Sequence, residues 1–409
     1  MANTSVIIIG GGISGPILAI FLKIRGYQPV VYERLPAFID LGVGLMLQPN
    51  GLKVLSSIPG FVEAVTCKEI ARLRSYSTLD EDPGLLGESL VPSTLRSQYG
   101  SGMVGVRRTA LHSTIVQFLE KHGVEIRWGH QLASVEQGED SVTAVFEHGE
   151  KATASFLVGC DGLHSATRVA LFGKESAIFT GLTQTGGICP TPSTNGDLPS
   201  AVNWFGQGAH MIAYPITDTL TSWAITLREE ESKETWRAAD KDILEKVQSS
   251  PRASWGYGAS ELIKTTERLV KFGLYDRPEL NSWHIGRVVL LGDAAHPTSP
   301  HLGQGANQAF EDVYHLTRLL DEQNLDRTPL DTTALDKIFT AYESIRIPRA
   351  SALVQGARKQ GESRVVQDVN DCKTRDEDVR RTLKDNEGLQ GTYARLYGDI
   401  VAKSIGPEA

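Results

Sequence analysis

The sequence predicts an α/β protein: a parallel sheet with covering helices, interrupted by a β-rich insertion and closed by C-terminal helices. Three observations predict it. Residues 5–9 (SVIII) form a continuous run dominated by β-branched residues, the pattern of a parallel strand buried on both faces. The glycine cluster GGGISG follows at once, then apolar positions at helical spacing over 13–25, then a second apolar run at 29–33 (PVVYE). Far along the chain, two more apolar runs end on turns that pair an acid with a glycine: FLVG before Asp161-Gly162, and VVLL at 288–291 before Gly292-Asp293.

The elements follow in order. Gly26 stops the first helix, so residues 5–33 form a βαβ unit whose crossover is right-handed. From about Ala71 to Tyr99 the pattern loosens into polar, Gly/Pro-containing sequence with weak strand signals. VRRTALHSTIVQFLEKHG returns to helical periodicity, and VEIRWG, SVTAVFEHG and KATASFLVGCDG read as strands joined by short turns. Residues 176–284 change character, with short alternating strands (HMIAYPI, TSWAITL) and a charged helix over about 233–248. This reads as a second domain inserted into the first. The chain returns to its first domain at Val288, and beyond Ala334 it is helical, turning polar and highly charged from Gln360. The expected division is 1–70, 100–175 and 285–360 in the first domain, 71–99 and 176–284 in the β-rich one, and 361–409 as a helical extension.

At 409 residues the chain exceeds one ordinary core and suits two. Its formal net charge is −8 at pH 7 with no basic run, which argues against nucleic acid as a partner. Cys67, Cys160, Cys189 and Cys372 are scattered without metal-ligand spacing, so neither a zinc site nor a disulfide scaffold is expected, and a reducing compartment is. The apolar N-terminus has no Lys or Arg before it, the first being Lys23, and glycines interrupt it; it does not read as a secretory signal. No run approaches the ~20 apolar residues of a membrane span. A cytoplasmic protein without a membrane anchor is the expectation.

The glycine cluster supplies G-x-G-x-x-G at Gly10, Gly12 and Gly15 between a strand and a helix. The first glycine allows the tight turn, the second a close approach to a pyrophosphate, and the third tight packing of helix on strand, while the helix start offers free N–H groups. Glu33 ends the next strand, where a carboxylate can accept from ribose hydroxyls. In this strand–turn–helix–strand setting the pattern points to a Rossmann-like dinucleotide site; a ligand-free glycine turn is the alternative. Asp161-Gly162 leads to Ser165 and Arg168, a pattern equally open to a plain turn with a helix cap at Ser165. In the third stretch, GDAAHPTSPHLGQGAN, no phosphate-loop lysine is present, and Asp293 with the following N–H groups suits a ribityl hydroxyl or a pyrophosphate. Three such strand ends on one sheet call for a ligand long enough to touch them all.

Together, Gly10/Gly12/Gly15/Glu33, Asp161-Gly162-x-x-Ser165-x-x-Arg168 and Gly292-Asp293-Ala-Ala-His296-x-x-x-Pro300-x-x-Gly303-Gln304-Gly305-x-Asn307 resemble the single-component (class A) FAD-dependent aromatic hydroxylases, flavoprotein monooxygenases related to salicylate and para-hydroxybenzoate hydroxylase. The match runs in order over residues 5–350. The resemblance implies that Gly10, Gly12, Ile13, Ser14, Gly15, Glu33 and Arg34 hold the adenosine and pyrophosphate of FAD. It places Asp161 where both FAD and the nicotinamide cofactor are contacted, and Asp293 on the ribityl chain. Pro300, Gly303, Gln304, Gly305, Ala306 and Asn307 would run along the isoalloxazine, and Gly44 lies in a loop (42–51) that lets the flavin swing. VRRTAL resembles the family's Arg-x-x-Leu element, placing Arg108 near the flavin, Arg107 being the other register; YESIR (342–346) resembles a helix end of structural value. Ala309 replaces a frequent family glycine. The C-terminal region does not resemble the thioredoxin-like domain of phenol hydroxylases, so one of the family's compact forms is expected. The absence of a second G-x-G-x-x-G fits NADH or NADPH as a transient co-substrate.

The implied activity is hydroxylation of a small or medium aromatic, a phenol or aromatic acid, with O2 and through a flavin C4a-hydroperoxide, in some family members with decarboxylation. The alternative is an epoxidase or Baeyer–Villiger-type flavin monooxygenase of secondary metabolism acting on an isoprenoid- or polyketide-like substrate. Rivals from other classes are a non-oxygenating NAD-dependent dehydrogenase, which leaves the second and third motifs without a role, and a catalytically silent flavin-binding module. Either a monomer or a homodimer is compatible. For a catalytic base, the period-two rule puts His210, Ile212 and Tyr214 on one strand face, which makes His210 and Tyr214 the candidates, with plain packing as the alternative. His301, where the family varies, reads as a local loop contact, His296 as loop structure, and Trp204 and Phe205 as aromatic walls or core.

Overall fold

The structure is a computed structural model that describes residues 4–37, 43–192, 198–231, 241–325, 328–398 and 400. Its central sheet has six strands in the order His284–Ile285, Val288–Leu290, Phe156–Gly159, Ser5–Ile9, Gln28–Glu33, Glu125–Trp128. All pairings are parallel except that of the first two. Ile9 lies opposite both Gly159 and Tyr32, and Gly159 opposite Leu290. The three acid- or glycine-bearing turns therefore leave the sheet side by side at its carboxyl edge, where open α/β sheets bind ligands.

The helix Ser14–Ile24 is buried from Gly15 to Leu22, because it packs on the sheet and under the helix Gly305–Gln323. Val6, Ile8, Leu18, Phe21, Phe156, Val289 and Phe310 belong to one core cluster that fills this layer.

A second sheet carries seven strands in the order Leu269–Asp276, Ile178–Pro190, Leu220–Arg228, Ala209–Pro215, Ser200–Gly206, Arg72–Ser77, Gly84–Ser89. The weakly patterned stretch 71–99 thus forms two strands and the helix Val91–Tyr99. Its first strand runs parallel to the distant Ser200–Gly206, with Arg72 opposite Ser200. The pairing is long-range, so no local turn announces it.

KATASFLVG, read as one strand, breaks at Ser155. Lys151–Ala154 pairs antiparallel with Val142–Phe146, whereas Phe156–Gly159 enters the central sheet. The chain changes sheets there while the Ser155 N–H donates to the Ser5 carbonyl. Of the charged helix expected over 233–248, the structure has Lys241–Gln248; residues 232–240 lie outside the described residues.

The long helix Thr332–Arg364 is followed by Val369–Lys384 and Asn386–Tyr397. Although the region is highly charged, Cys372, Leu383, Leu389, Tyr393 and Tyr397 are buried. Most of its charges lie on outer helix faces, while Arg375 and Asp376 are buried and pair with each other. No helix among the described residues is long and apolar enough to cross a membrane.

Candidate active site

At the first strand end Gly10 has φ 111°, and a Cβ there would lie 2.4 Å from the Cys160 carbonyl oxygen. A Cβ on Gly15 would come within 2.1 Å of the Gly10 oxygen. Gly12 differs: a Cβ there would meet no described atom within 4 Å. The turn is thus closed at its two outer glycines and open at its middle one. The helix beginning at Ser14 has no side-chain cap, so its first N–H groups face that space.

Glu33 closes one flank. Its Oε2 accepts from the Gly11 N–H at 2.6 Å and its Oε1 from the Leu35 N–H at 2.9 Å, while Arg34 beside it is exposed. His112, which sequence reasoning missed, donates from Nε2 to the Gly11 carbonyl at 2.8 Å. The signal available was spacing: His112 lies four residues after Arg108 on the helix Arg108–Lys121, hence on one face.

The third strand end meets the first. A Cβ on Gly292 would sit 3.4 Å from Ser14 Oγ, and one on Gly305 would sit 4.0 Å from Asp293 Oδ1. Asp293 is exposed between buried Gly292 and Ala294. Burial lowers the basicity of the Arg108 guanidinium and the nearby Asp293 carboxylate raises it again. Gly303, with φ 61°, turns the chain into the helix Gly305–Gln323, a second helix start without a side-chain cap.

The side chains of Gln304 and Asn307 fasten this loop from beneath. Asn307 Oδ1 accepts from the Gln48 N–H at 3.0 Å, and its Nδ2 donates to the carbonyls of Met46 and Gly303. Gln304 Nε2 donates to Gln48 Oε1 at 2.6 Å, and Gln304 Oε1 accepts from Asn50 at 2.9 Å. Tyr397, from the last helix, donates its hydroxyl to the same Gln48 oxygen at 2.8 Å. Gly44 begins the strand Gly44–Leu47 and donates its N–H to Ser222 Oγ at 2.8 Å, which seats that strand against the seven-stranded sheet. Of the loop 42–51, residue 42 lies outside the described residues.

The second strand end is tied inward. Asp161 accepts from Ser165 Oγ at 2.5 Å and from the Thr167 N–H at 2.9 Å, and Ser165 caps its helix by accepting from the Arg168 N–H at 2.8 Å. Burial raises the Asp161 carboxyl above its ordinary value, opposed by those bonds. Arg168, almost wholly buried, donates to the carbonyls of Ala295 at 3.2 Å and Pro278 at 2.7 Å. The cap reading of Ser165 thus describes the turn, and Arg168 links it to the third motif.

His210 stands opposite Phe205 and Thr226, Ile212 opposite Asn203 and Ala224, and Tyr214 opposite Ser222; the three share a face as period two requires. Tyr214 Cδ2 lies 2.8 Å from where a Gly105 Cβ would be, so this face looks toward the first domain. Burial, then the charges of Arg364, His301 and Arg375, keep His210 well below the usual histidine range. Burial pushes the Tyr214 hydroxyl up.

Beside the 300–302 turn lies a cleft of about 420 Å³, lined by Leu182, Leu274, Arg277, Ser299, His301 and Arg358 among others. On three of these residues one polar side-chain atom, Arg277 Nε, Ser299 Oγ and His301 Nε2, is shut off from solvent without a hydrogen-bond partner among the described residues. Burial and then the Arg364 charge bring His301 down to about 3. Away from this region, His130, just before the strand Leu132–Gln137, and His148 and Glu150, in the turn before Lys151, bring ligand atoms within 4.8 Å of one another, a grouping that sequence spacing did not reveal.

Residues 3–357 match the family model described as FAD binding domain. The chain belongs to that family. It is 30% identical over 406 residues to 3-amino-4-hydroxybenzoate 2-monooxygenase of Streptomyces cremeus, covering 98% of this chain and 97% of that one. It is 29% identical over 350 residues to 6-hydroxynicotinate 3-monooxygenase of Bordetella bronchiseptica, covering 84% and 88% respectively. Among solved structures, HpxO of Klebsiella pneumoniae in complex with FAD and uric acid shares the fold, with a TM-score of 0.83 and 22% identity over 96% of this chain and 97% of that one.

The protein is an FAD-dependent monooxygenase related to aromatic hydroxylases, and its residues suit that cofactor. Two uncapped helix starts, the open space at Gly12 and the approach of Ser14 to Gly292 are features that suit a long anionic dinucleotide.

Proposed function

We propose that this FAD-dependent monooxygenase hydroxylates a small phenol or aromatic acid with NADH or NADPH as reductant. The observation that carries the reading is the cleft beside the 300–302 turn, lined by apolar Ile178, Leu182, Leu274 and Val354 together with polar Ser299, His301, Arg277 and Arg358. A polar aromatic fits such a lining, its ring covering Leu182 and Leu274 and its polar groups meeting the polar side chains. The aromatic substrates named for the relatives agree with this.

Within that reading, Gly10, Gly12, Ile13, Ser14, Gly15, Glu33 and Arg34 hold the adenosine and pyrophosphate of FAD. Asp293 with Arg108 takes the ribityl region, and Pro300, Gly303, Gly305 and Ala306 present backbone groups to the ring, with Gln304 and Asn307 fixing their loop. Asp161 shapes the neighbouring turn, and Gly44 seats the facing strand. When bound, FAD supplies the redox and oxygen chemistry. The chain's task is to place the substrate and exclude water. His210 is neutral at physiological pH and Tyr214 stays protonated, so both serve as hydrogen-bonding groups before they serve as bases. The first domain (1–70, 100–175, 285–360) carries the cofactor, and the insertion (71–99, 176–284) with the extension (361–409) encloses the substrate.

The test is NAD(P)H oxidation by the FAD-loaded protein against a panel of hydroxybenzoates, hydroxynicotinates and simple phenols, with non-aromatic alkenes and ketones alongside, and product analysis. Stimulated oxidation with a hydroxylated product is expected. Stimulation only by non-aromatic alkenes or ketones would transfer the protein to the epoxidase or Baeyer–Villiger class.

A further inference from the structure

Outside the cofactor and substrate regions, His130, His148 and Glu150 offer one ligand atom each, all within 4.8 Å of one another. They come from two different sheets. His130 follows the central-sheet strand Glu125–Trp128, and His148 and Glu150 sit in the turn between Val142–Phe146 and Lys151–Ala154 of a three-stranded sheet. Backbone bonds fix both segments. The His130 N–H donates to the Glu33 carbonyl at 2.8 Å, the Glu147 N–H to the Gln131 carbonyl at 2.9 Å, and the Phe146 N–H to the Glu150 carbonyl at 2.9 Å.

The His130 ring is held as well. It packs edge-on against Tyr32, Phe146 and His148, with centroids 5.4, 4.9 and 4.8 Å away, and its side chain is 14% exposed. Its Nδ1 lies 2.8 Å from the Trp128 carbonyl oxygen. That oxygen can only accept, so the neutral imidazole carries its proton on Nδ1 and presents a lone pair at Nε2. Nε2 faces Glu150 Oε2 at 3.2 Å, and His148 Nε2 faces the same oxygen at 3.3 Å. The other carboxylate oxygen is occupied: Arg127, which also donates to Glu125 at 2.8 Å, donates from Nη1 to Glu150 Oε1 at 3.3 Å.

Two imidazoles and one carboxylate are a usual zinc donor set, with a fourth position left to water. A ligating histidine ordinarily donates its other ring N–H to a carbonyl or carboxylate, which fixes the tautomer; His130 does so to Trp128. Tetrahedral zinc with bonds of about 2.0–2.1 Å holds neighbouring ligand atoms roughly 3.3 Å apart, the spacing of both imidazole–carboxylate pairs. The remaining edge, His130 to His148, closes by rotation of His148, whose side chain is 45% exposed. Magnesium and calcium prefer oxygen donors throughout, so the imidazoles select a transition metal.

We propose that His130, His148 and Glu150 bind one zinc ion, which clamps the turn before Lys151 to the edge of the central sheet. The scattered cysteines take no part in it. The site is independent of the aromatic-hydroxylase reading.

The experiment uses tag-free, FAD-loaded protein, stripped with a chelator and titrated calorimetrically with zinc chloride, magnesium chloride serving as the control. Zinc is expected to bind at one such site per chain, and magnesium not to bind there. His148→Ala and Glu150→Gln each remove one ligand from an exposed turn. Each should weaken zinc at least about tenfold, a loss that even the supporting residues of metal sites produce, with FAD content unchanged. A second readout needs no variant. Labelling with diethyl pyrocarbonate, read by mass spectrometry, should show His148 protected in excess zinc, while exposed His164 labels equally with and without it.

Unchanged labelling of His148 in excess zinc overturns the proposal. So does equal zinc affinity in the unmodified protein and both variants, which would assign the binding to adventitious surface histidines. Absence of zinc binding overturns it too, leaving the three side chains as plain ion pairs. None of these outcomes touches the FAD or substrate readings.

Discussion

The Arg346 guanidinium donates to Asp312 Oδ1 at 2.6 Å, with both side chains wholly buried. The other Asp312 oxygen accepts from the Gly292 N–H at 2.9 Å and from His296 Nε2 at 2.6 Å. Arg346 also meets Glu311 at 2.6 Å, which Arg349 and Asn50 share. Through this pair the long C-terminal helix holds in place the turn that carries Asp293. Removing one partner of a buried ion pair strands the other, at a cost of about 3–5 kcal/mol. Arg346→Met should lower unfolding stability by that order and weaken FAD retention with it. A denaturant midpoint within experimental error of the unmodified protein would contradict this.

The same pair predicts an acid limit. Burial works to raise the Asp312 carboxyl, but His296 and Arg346 outweigh it and hold the group at about 2, against an ordinary value of 3.8. Its pKa is depressed on folding, so the stabilisation is fully present above 3.8 and disappears as pH falls toward 2. Urea midpoints measured across that window should fall steeply, and in Asp312→Asn the fall should be shallower from a lower starting stability. Parallel curves for the two proteins would remove Asp312 from the account.

Gly12 and Gly15 should separate binding from folding. Gly15→Ala drives a Cβ into the Gly10 carbonyl oxygen, whereas Gly12→Ala puts one into open space. Gly12→Ala is expected to leave the melting temperature of the FAD-free protein within about 1 °C and to weaken FAD at least about tenfold, because the methyl occupies the position of closest pyrophosphate approach. Gly15→Ala should destabilise the FAD-free protein itself. Equal FAD affinity in Gly12→Ala and the unmodified protein would argue against this placement of the pyrophosphate.

Asp293→Ala should likewise lower FAD retention, since the carboxylate stands exposed at the mouth of the turn, near Arg108 and the start of the helix Gly305–Gln323. The measurement is flavin content after gel filtration. Full occupancy would contradict the assigned position.

Tyr397→Phe removes the hydroxyl that donates to Gln48. One such bond contributes about 1 kcal/mol, a small change in melting temperature. The larger expected signal is faster amide hydrogen exchange around residues 44–48 and 302–305, which Gln48 connects. Unchanged exchange there would mean that the last helix only covers the loop.

Much of the cofactor side was legible because its chemistry is local. A β-branched run, a glycine turn and an acid at the next strand end are contiguous in sequence, and each has a backbone reason to be where it is. The same holds for Gly303 and for the face shared by His210, Ile212 and Tyr214. His112 was missed because its target, the Gly11 carbonyl, is a backbone atom 101 residues away. His301 read as a loop contact because nothing nearby in sequence shows that Arg364 approaches its carbonyl from a helix 63 residues later. The strand at 72–77 was faint because one of its partners, Ser200–Gly206, is remote, and 84–89 is an edge strand that pairs only with 72–77.

By itself the sequence determined the α/β class, the three strand-end motifs and their order, since short-range periodicity and turn chemistry act between neighbouring residues. Only the tertiary structure decided what those ends face. It turned Gln304 and Asn307 inward as fasteners, converted a charged tail into a helical cover anchored at Gln48, and set the Arg364 guanidinium on the His301 carbonyl. Those outcomes depend on burial, and burial is fixed by which distant segments exclude water from one another.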